Sequence, residues 1–131
     1  MVEPEKSLIN IAQELGTALK VQGFVLALAE SCTGGMVSQA ITSIAGSSAW
    51  FDRGFVTYSN AAKIDMLGVS VQTLEKFGAV SEQTAAEMAL GCLKASALKY
   101  SQAHLAGSIT GLSAVPPSGP AMPVILPARY V

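Results

Sequence analysis

Charge is scarce in this chain: 13% of its 131 residues are charged, the net charge is −1, and no stripe of lysine or arginine occurs. A nucleic-acid binder neutralises phosphates with clustered basic side chains, so DNA and RNA are not expected partners. Cysteine and histidine are almost absent as well, with only Cys32, Cys92 and His104. Three such residues cannot build a structural zinc site, and in a reducing compartment the two thiols are expected to be free. No apolar run reaches the roughly 18 residues of a membrane span, and the first residues carry Glu3 and Glu5 in place of the basic start of a signal peptide. A cytoplasmic protein with no membrane partner is the expectation. Proline is confined: five of the six lie between Pro116 and Pro127.

What is present is apolar. Half of the residues are hydrophobic and the mean hydropathy is +0.45, which suits one core and a surface partly covered by self-association into a homo-oligomer. Ser7 is positioned to cap a first helix, in which Leu8, Ile11, Ala12, Leu15, Ala18 and Leu19 share a face until Gly23. Phe24 to Ala29 is a short continuous apolar run, the form of a strand covered on both faces. Met36, Val37, Ala40, Ile41 and Ile44 predict a helix over 33–44, and Phe55 to Tyr58 predict a second strand ending near Tyr58. Asn60 is read as the cap of a helix to about Leu67. A short helix follows over 71–77, then a long one from Ser81 to Lys99 or Tyr100, and a strand over 103–109 closed by Thr110-Gly111. This alternation is an α/β pattern with a mostly parallel sheet. Beyond Gly111 the proline density predicts no regular structure.

The chemistry concentrates at Glu30-Ser31-Cys32-Thr33-Gly34-Gly35, a strand-to-helix turn. Backbone N–H groups and the helix dipole converge at such a turn, which suits a nucleophile or a phosphate. Groups at the carboxyl ends of parallel strands share one crevice, so Ser31, Tyr58 and Lys63 are candidates to meet. A serine hydroxyl needs a base, and a neutral lysine can be that base if its pKa falls well below about 10.4. A place in the first turn of a helix disfavours the cation and pushes in that direction. The N–H groups of Thr33, Gly34 and Gly35 are then candidates to hold an oxyanion. Each residue also has a plainer reading: helix capping for Ser31, Thr33 and Asn60, a solvated surface lysine for Lys63, a core tyrosine for Tyr58. The residues alone leave both open. The S-x-x-K of Ser96 to Lys99 lacks its companion motifs, no cysteine–histidine pair is evident, and no nucleotide fingerprint exists.

Five ordered blocks carry a family resemblance: Ala29-Glu30-Ser31-Cys32-Thr33-Gly34-Gly35, Gly46-Ser47-Ser48-Ala49-Trp50-Phe51, Val56-Thr57-Tyr58-Ser59-Asn60-Ala61-Ala62-Lys63, Leu67-Gly68-Val69 and Gly78-Ala79-Val80-Ser81-Glu82. Over residues 7–111 the chain resembles the CinA C-terminal domain family, the nicotinamide-nucleotide amidases, in its standalone form. The resemblance implies a three-layer α/β/α domain that hydrolyses the amide of nicotinamide mononucleotide to nicotinic acid mononucleotide and ammonia, without metal or cofactor, in pyridine nucleotide salvage. It implies Ser31 as nucleophile assisted by Lys63 and Tyr58. Thr33, Gly34, Gly35, Asn60, Thr110 and Gly111 are expected to line the substrate, a small nucleotide. The alternative from another class is a non-catalytic nucleotide or phosphate binder, in which the Ser31–Gly35 turn holds an anion that Lys63 neutralises.

The resemblance stops after Thr110-Gly111. Relatives continue with a glycine-rich turn, further strand and a helix carrying an arginine suited to phosphate, whereas here Leu112-Ser113-Ala114-Val115-Pro116-Pro117 follow. We therefore expect an amidase-like domain over 1–111 and an atypical tail over 112–131 from an altered reading frame. In that case the sheet lacks its last strand and helix, and the product is of lowered stability or inactive.

Overall fold

The computed structural model describes residues 4–97, 103–111 and 124–127. In chain order the elements are α1 (Pro4–Gln22), β1 (Leu26–Glu30), α2 (Met36–Thr42), a 3-10 turn (Ser47–Ala49), β2 (Phe51–Val56), α3 (Asn60–Leu67), α4 (Val71–Phe77), α5 (Glu82–Ser96), β3 (Leu105–Ile109) and β4 (Val124–Pro127). The sheet order is β2-β1-β3-β4. β1 is the central strand and pairs parallel with both β2 and β3, while β4 pairs antiparallel with β3.

Because β1 is buried on both sides, its period of two sorts residue sizes rather than polarity. Leu26 and Leu28 face one layer, where they pack with Ala12 and Leu19 of α1, Ile41 of α2 and Trp50. Ala27 and Ala29 face the other, packing with Leu67, Val69, Met88, Ala89 and Cys92. The small side chains let α5 lie close to the sheet. The result is three layers: α1 and α2, the sheet, then α3, α4 and α5.

Close approach recurs at two glycines. A Cβ on Gly16 would sit 2.3 Å from the Trp50 ring, so α1 lays its backbone against the indole. A Cβ on Gly91 would sit 1.8 Å from the Leu67 carbonyl oxygen, which brings α5 against the end of α3. Since α3 carries Lys63, that contact helps set where the lysine arrives.

Several expectations are corrected. Ser7 lies inside α1, which begins at Pro4, a residue suited to a first helical turn. Within α1, Ala12, Gly16 and Leu19 are buried, whereas Ile11 is exposed. The second helix starts at Met36, because Gly34 and Gly35 take positive φ and form the turn itself. β2 ends at Val56, two residues before Tyr58. The cap of α3 is Ser59, whose hydroxyl accepts from the Ala62 N–H, and Asn60 is the first helical residue. Ser81 caps α5 as expected. That helix ends at Ser96, and Lys99 and Tyr100 fall outside the described residues. The tail does contain regular structure: Val124, Ile125 and Leu126 are strand formers, and an edge strand tolerates the prolines on either side, with Pro127 opposite Leu105. The sheet thus has a fourth strand where none was expected, and 112–123 and 128–131 lie outside the described residues.

Gly91→Ala should destabilise the domain by about 3 kcal/mol or more, since the added methyl meets a main-chain oxygen that cannot rotate away. Urea denaturation checks this, and an unchanged midpoint would show that α3 and α5 are not in such close contact.

Candidate active site

β1 ends at the site. Its alternation carries one step past the strand: Glu30 follows Leu26 and Leu28 toward α2, and Ser31 turns toward α3. Ser31 N–H donates to the Ile109 carbonyl at 3.0 Å and Thr57 N–H to the Glu30 carbonyl at 2.8 Å, so the ends of β1, β2 and β3 are tied together there.

Lys63 reaches Ser31. Its Nζ lies 2.9 Å from Ser31 Oγ, 2.9 Å from the Thr57 carbonyl oxygen and 2.9 Å from the Tyr58 carbonyl oxygen. The residue is 1% exposed, which rules out the solvated surface lysine. Burial lowers its pKa from the usual lysine value of 10.5, with the neighbouring Cys32 pushing weakly the other way. Burial, not the helix end, is the leading cause. The geometry suits either protonation state. An ammonium finds three acceptors; a neutral amine can give its two N–H groups to the carbonyls, which only accept, and direct its lone pair at the serine hydroxyl.

Glu30 is the second buried ionisable group, with no exposed surface. Its carboxylate accepts from Gly35 N–H at 3.2 Å, Val37 N–H at 3.0 Å, Ser38 N–H at 2.9 Å and the Ser38 hydroxyl at 2.6 Å. Burial alone would raise its pKa, but these hydrogen bonds, led by the Ser38 hydroxyl, outweigh it and hold the group below the ordinary carboxylate value. Thr33 Oγ1 is buried without a hydrogen bond of normal geometry, yet it lies near enough to favour the Glu30 charge. The first amides of α2 are therefore occupied by an anion from the protein itself.

This changes the roles read from the turn. Gly34 N–H donates to the Ser31 carbonyl at 3.1 Å and Gly35 N–H to Glu30, so neither is available to an oxyanion. Among the described residues, Cys32 and Thr33 are the turn residues whose N–H groups make no hydrogen bond. Thr33 is one of the donor candidates named from the sequence, whereas Cys32, the residue directly after Ser31, is not among them. Tyr58 is brought to the site through its main chain. Its carbonyl holds Lys63 and lies 3.4 Å from Ser31 Oγ, while the residue is 63% exposed. Thr110 is buried and its hydroxyl donates to the Ala79 carbonyl at 2.8 Å, a structural tie beside the site. Gly111 follows it, half-buried, and Asn60 is exposed on the first turn of α3. Cys32 is a half-exposed free thiol; Cys92 is buried, and desolvation pushes its thiol up to about 12, so it is inert. Among the described residues no cluster of three or more metal-ligating side chains occurs, and no helix is long and apolar enough to cross a membrane.

Comparison with known proteins agrees with the motif blocks. The profile of the CinA C-terminal domain matches residues 8–124. The nicotinamide-nucleotide amidohydrolase PncC of Enterobacter agglomerans is 58% identical over 109 residues, which cover 83% of this chain and 63% of that protein. Its namesake from Escherichia coli strain K12 is 51% identical over the same extent. The chain thus spans about 63% of the length of these relatives. Among solved structures, the competence/damage inducible protein CihA of Agrobacterium tumefaciens superposes with a TM-score of 0.76 at 39% identity, over 100% of this chain and 84% of that one. A CinA superfamily protein from Klebsiella pneumoniae gives 0.77 at 36% identity, over 86% and 66%. With its profile spanning most of the sequence and its fold shared by these structures, the chain belongs to the CinA C-terminal domain family.

Proposed function

We propose that this protein is an amidohydrolase that cleaves the carboxamide of nicotinamide mononucleotide through a serine–lysine pair. The observation that carries the reading is the buried 2.9 Å contact between Ser31 Oγ and Lys63 Nζ; the relatives named nicotinamide-nucleotide amidohydrolase supply the substrate. Lys63 takes the Ser31 proton as Oγ bonds to the amide carbon. The oxyanion is met by the N–H groups of Cys32 and Thr33. Collapse of this intermediate breaks the C–N bond, Lys63 returns the proton to the leaving nitrogen, and ammonia departs. Water, deprotonated by the same amine, then bonds to the ester carbon; the carbon–Oγ bond breaks, the proton on Lys63 passes to Ser31 Oγ, and the acid product leaves.

The anion-binding alternative has less support, because Glu30 already fills the amides of α2 that a phosphate would seek. For the same reason the substrate's phosphate has to be met elsewhere than at that helix end. The reading includes self-association in the cytoplasm, to which exposed Ile11, Val21 and Met36 are suited.

Two outcomes follow. Ser31→Ala and Lys63→Met should each lower ammonia release from nicotinamide mononucleotide by roughly a thousandfold or more. The wild-type rate should rise with pH as the amine loses its proton, flattening below the ordinary lysine range. Retained turnover in Ser31→Ala would exclude the nucleophile.

Stability should report the same proton. Between the lowered folded pKa of Lys63 and its unfolded value near 10.5, the unfolded chain binds the extra proton, so wild-type stability gains with rising pH in that window. Lys63→Met lacks this term. Its stability relative to wild type should be most favourable near neutrality and decline steadily toward pH 10 in urea titrations, whereas a difference independent of pH would contradict a depressed pKa.

A further inference from the structure

Two charge-bearing side chains are buried at this end of the sheet, Glu30 at the end of β1 and Lys63 on α3, and the acyl-transfer reading uses only the lysine. Glu30 touches neither Ser31 Oγ nor Lys63 in any contact above. What it does touch is the backbone that carries the nucleophile forward into α2. Its two oxygens collect the N–H groups of Gly35, Val37 and Ser38 together with the Ser38 hydroxyl. A helix N-terminus of this kind would otherwise present those donors to the crevice. Drawn inward by Glu30, they cannot compete for substrate oxygen. The amides that remain are those of Cys32 and Thr33, next to Ser31 in the chain.

We propose that Glu30 is a positioning residue for acyl transfer: its carboxylate anchors the α2 amides and thereby sets the Ser31–Thr33 turn, so that the Cys32 and Thr33 N–H groups face the developing oxyanion. The proposal rests on the serine–lysine reading and deepens it. A second element enforces the same anchor from the edge of the sheet. Gly54 of β2 lies so close that a Cβ there would come within 2.5 Å of Ser38 Oγ. Only glycine leaves Ser38 in position to donate to Glu30. A residue in a neighbouring strand, with no contact to Ser31 or Lys63, thus helps determine how the turn is held.

Glu30→Gln is the sharpest test because it keeps the shape and removes the charge. One amide oxygen still accepts from Gly35 and Val37, but the new NH2 group opposes the Ser38 N–H. The probe is a fluorophosphonate, which reacts as Ser31 Oγ bonds to phosphorus, fluoride leaves and the hydroxyl proton passes to Lys63. Mass spectrometry gives the labelling rate at Ser31 independently of any natural substrate.

Glu30→Gln should label on the order of 10- to 100-fold more slowly than wild type, less than the roughly 100- to 1,000-fold cost of deleting an oxyanion donor outright, because the donors are displaced and not removed. Its kcat on nicotinamide mononucleotide, counted per folded molecule by circular dichroism, should fall in step while KM stays nearly constant; loss of folded protein alone would leave that corrected kcat unchanged. Ser38→Ala and Gly54→Ala should shift both rates in the same direction by smaller factors, and they decide the matter if Glu30→Gln does not fold. Wild-type labelling with all folded variants reacting equally fast would overturn the role of Glu30 and leave the serine–lysine reading standing. A wild-type Ser31 that does not label would overturn that reading, and this proposal with it.

Discussion

Two charge-bearing side chains are buried where the central strand ends, and the rest of the site follows from how each is accommodated. An unpaired buried charge is costly, so each must be hydrogen-bonded or change protonation state. Glu30 takes the first course: three amides and a hydroxyl hold its carboxylate ionised. Lys63 meets acceptors that serve an amine as well as an ammonium, and burial shifts its balance toward the neutral form. One group therefore keeps its charge and shapes backbone; the other can lose its charge and do chemistry.

The strand's period of two keeps these tasks apart. Residues 26, 28 and 30 face α1 and α2, while 27 and 29 face α5 and Ser31 turns toward α3. An anion and an amine placed side by side would form an ion pair, and that pairing would raise the lysine pKa and keep it protonated. Opposite faces of one strand prevent this within the space of two residues. Small residues complete the arrangement. Gly91 lets α5 close on α3 at Leu67, and Gly54 lets Ser38 reach Glu30 across the sheet.

Much of this was legible in the sequence, for identifiable reasons. The continuous apolar run of β1 announced a strand buried on both faces, and turn chemistry placed Ser81 as a cap. Strand ends in a parallel sheet bring Ser31 and Lys63 together without any knowledge of the intervening helices. What stayed hidden depended on donors and acceptors of the main chain. Periodicity cannot tell that Gly34 and Gly35 belong to the turn and not to the helix, since only φ distinguishes them. Nor could it tell that the lysine is held by the carbonyls of Thr57 and Tyr58 and not by a tyrosine hydroxyl. A glutamate one turn before a helix start was a usable sign that the helix end was already filled. The strand at Val124–Pro127 was masked by its flanking prolines, which an edge position permits.

The central claim is that Lys63 is an amine poised to lose its proton beside Ser31. The most direct measurement is the ionisation of Lys63 itself, followed by nuclear magnetic resonance of its Cε and Nζ in selectively labelled protein across pH. The account predicts a midpoint clearly below the ordinary lysine value of 10.5. A midpoint at or above that value would mean that the carbonyls hold a permanent ammonium, and a base for the serine would have to be sought elsewhere.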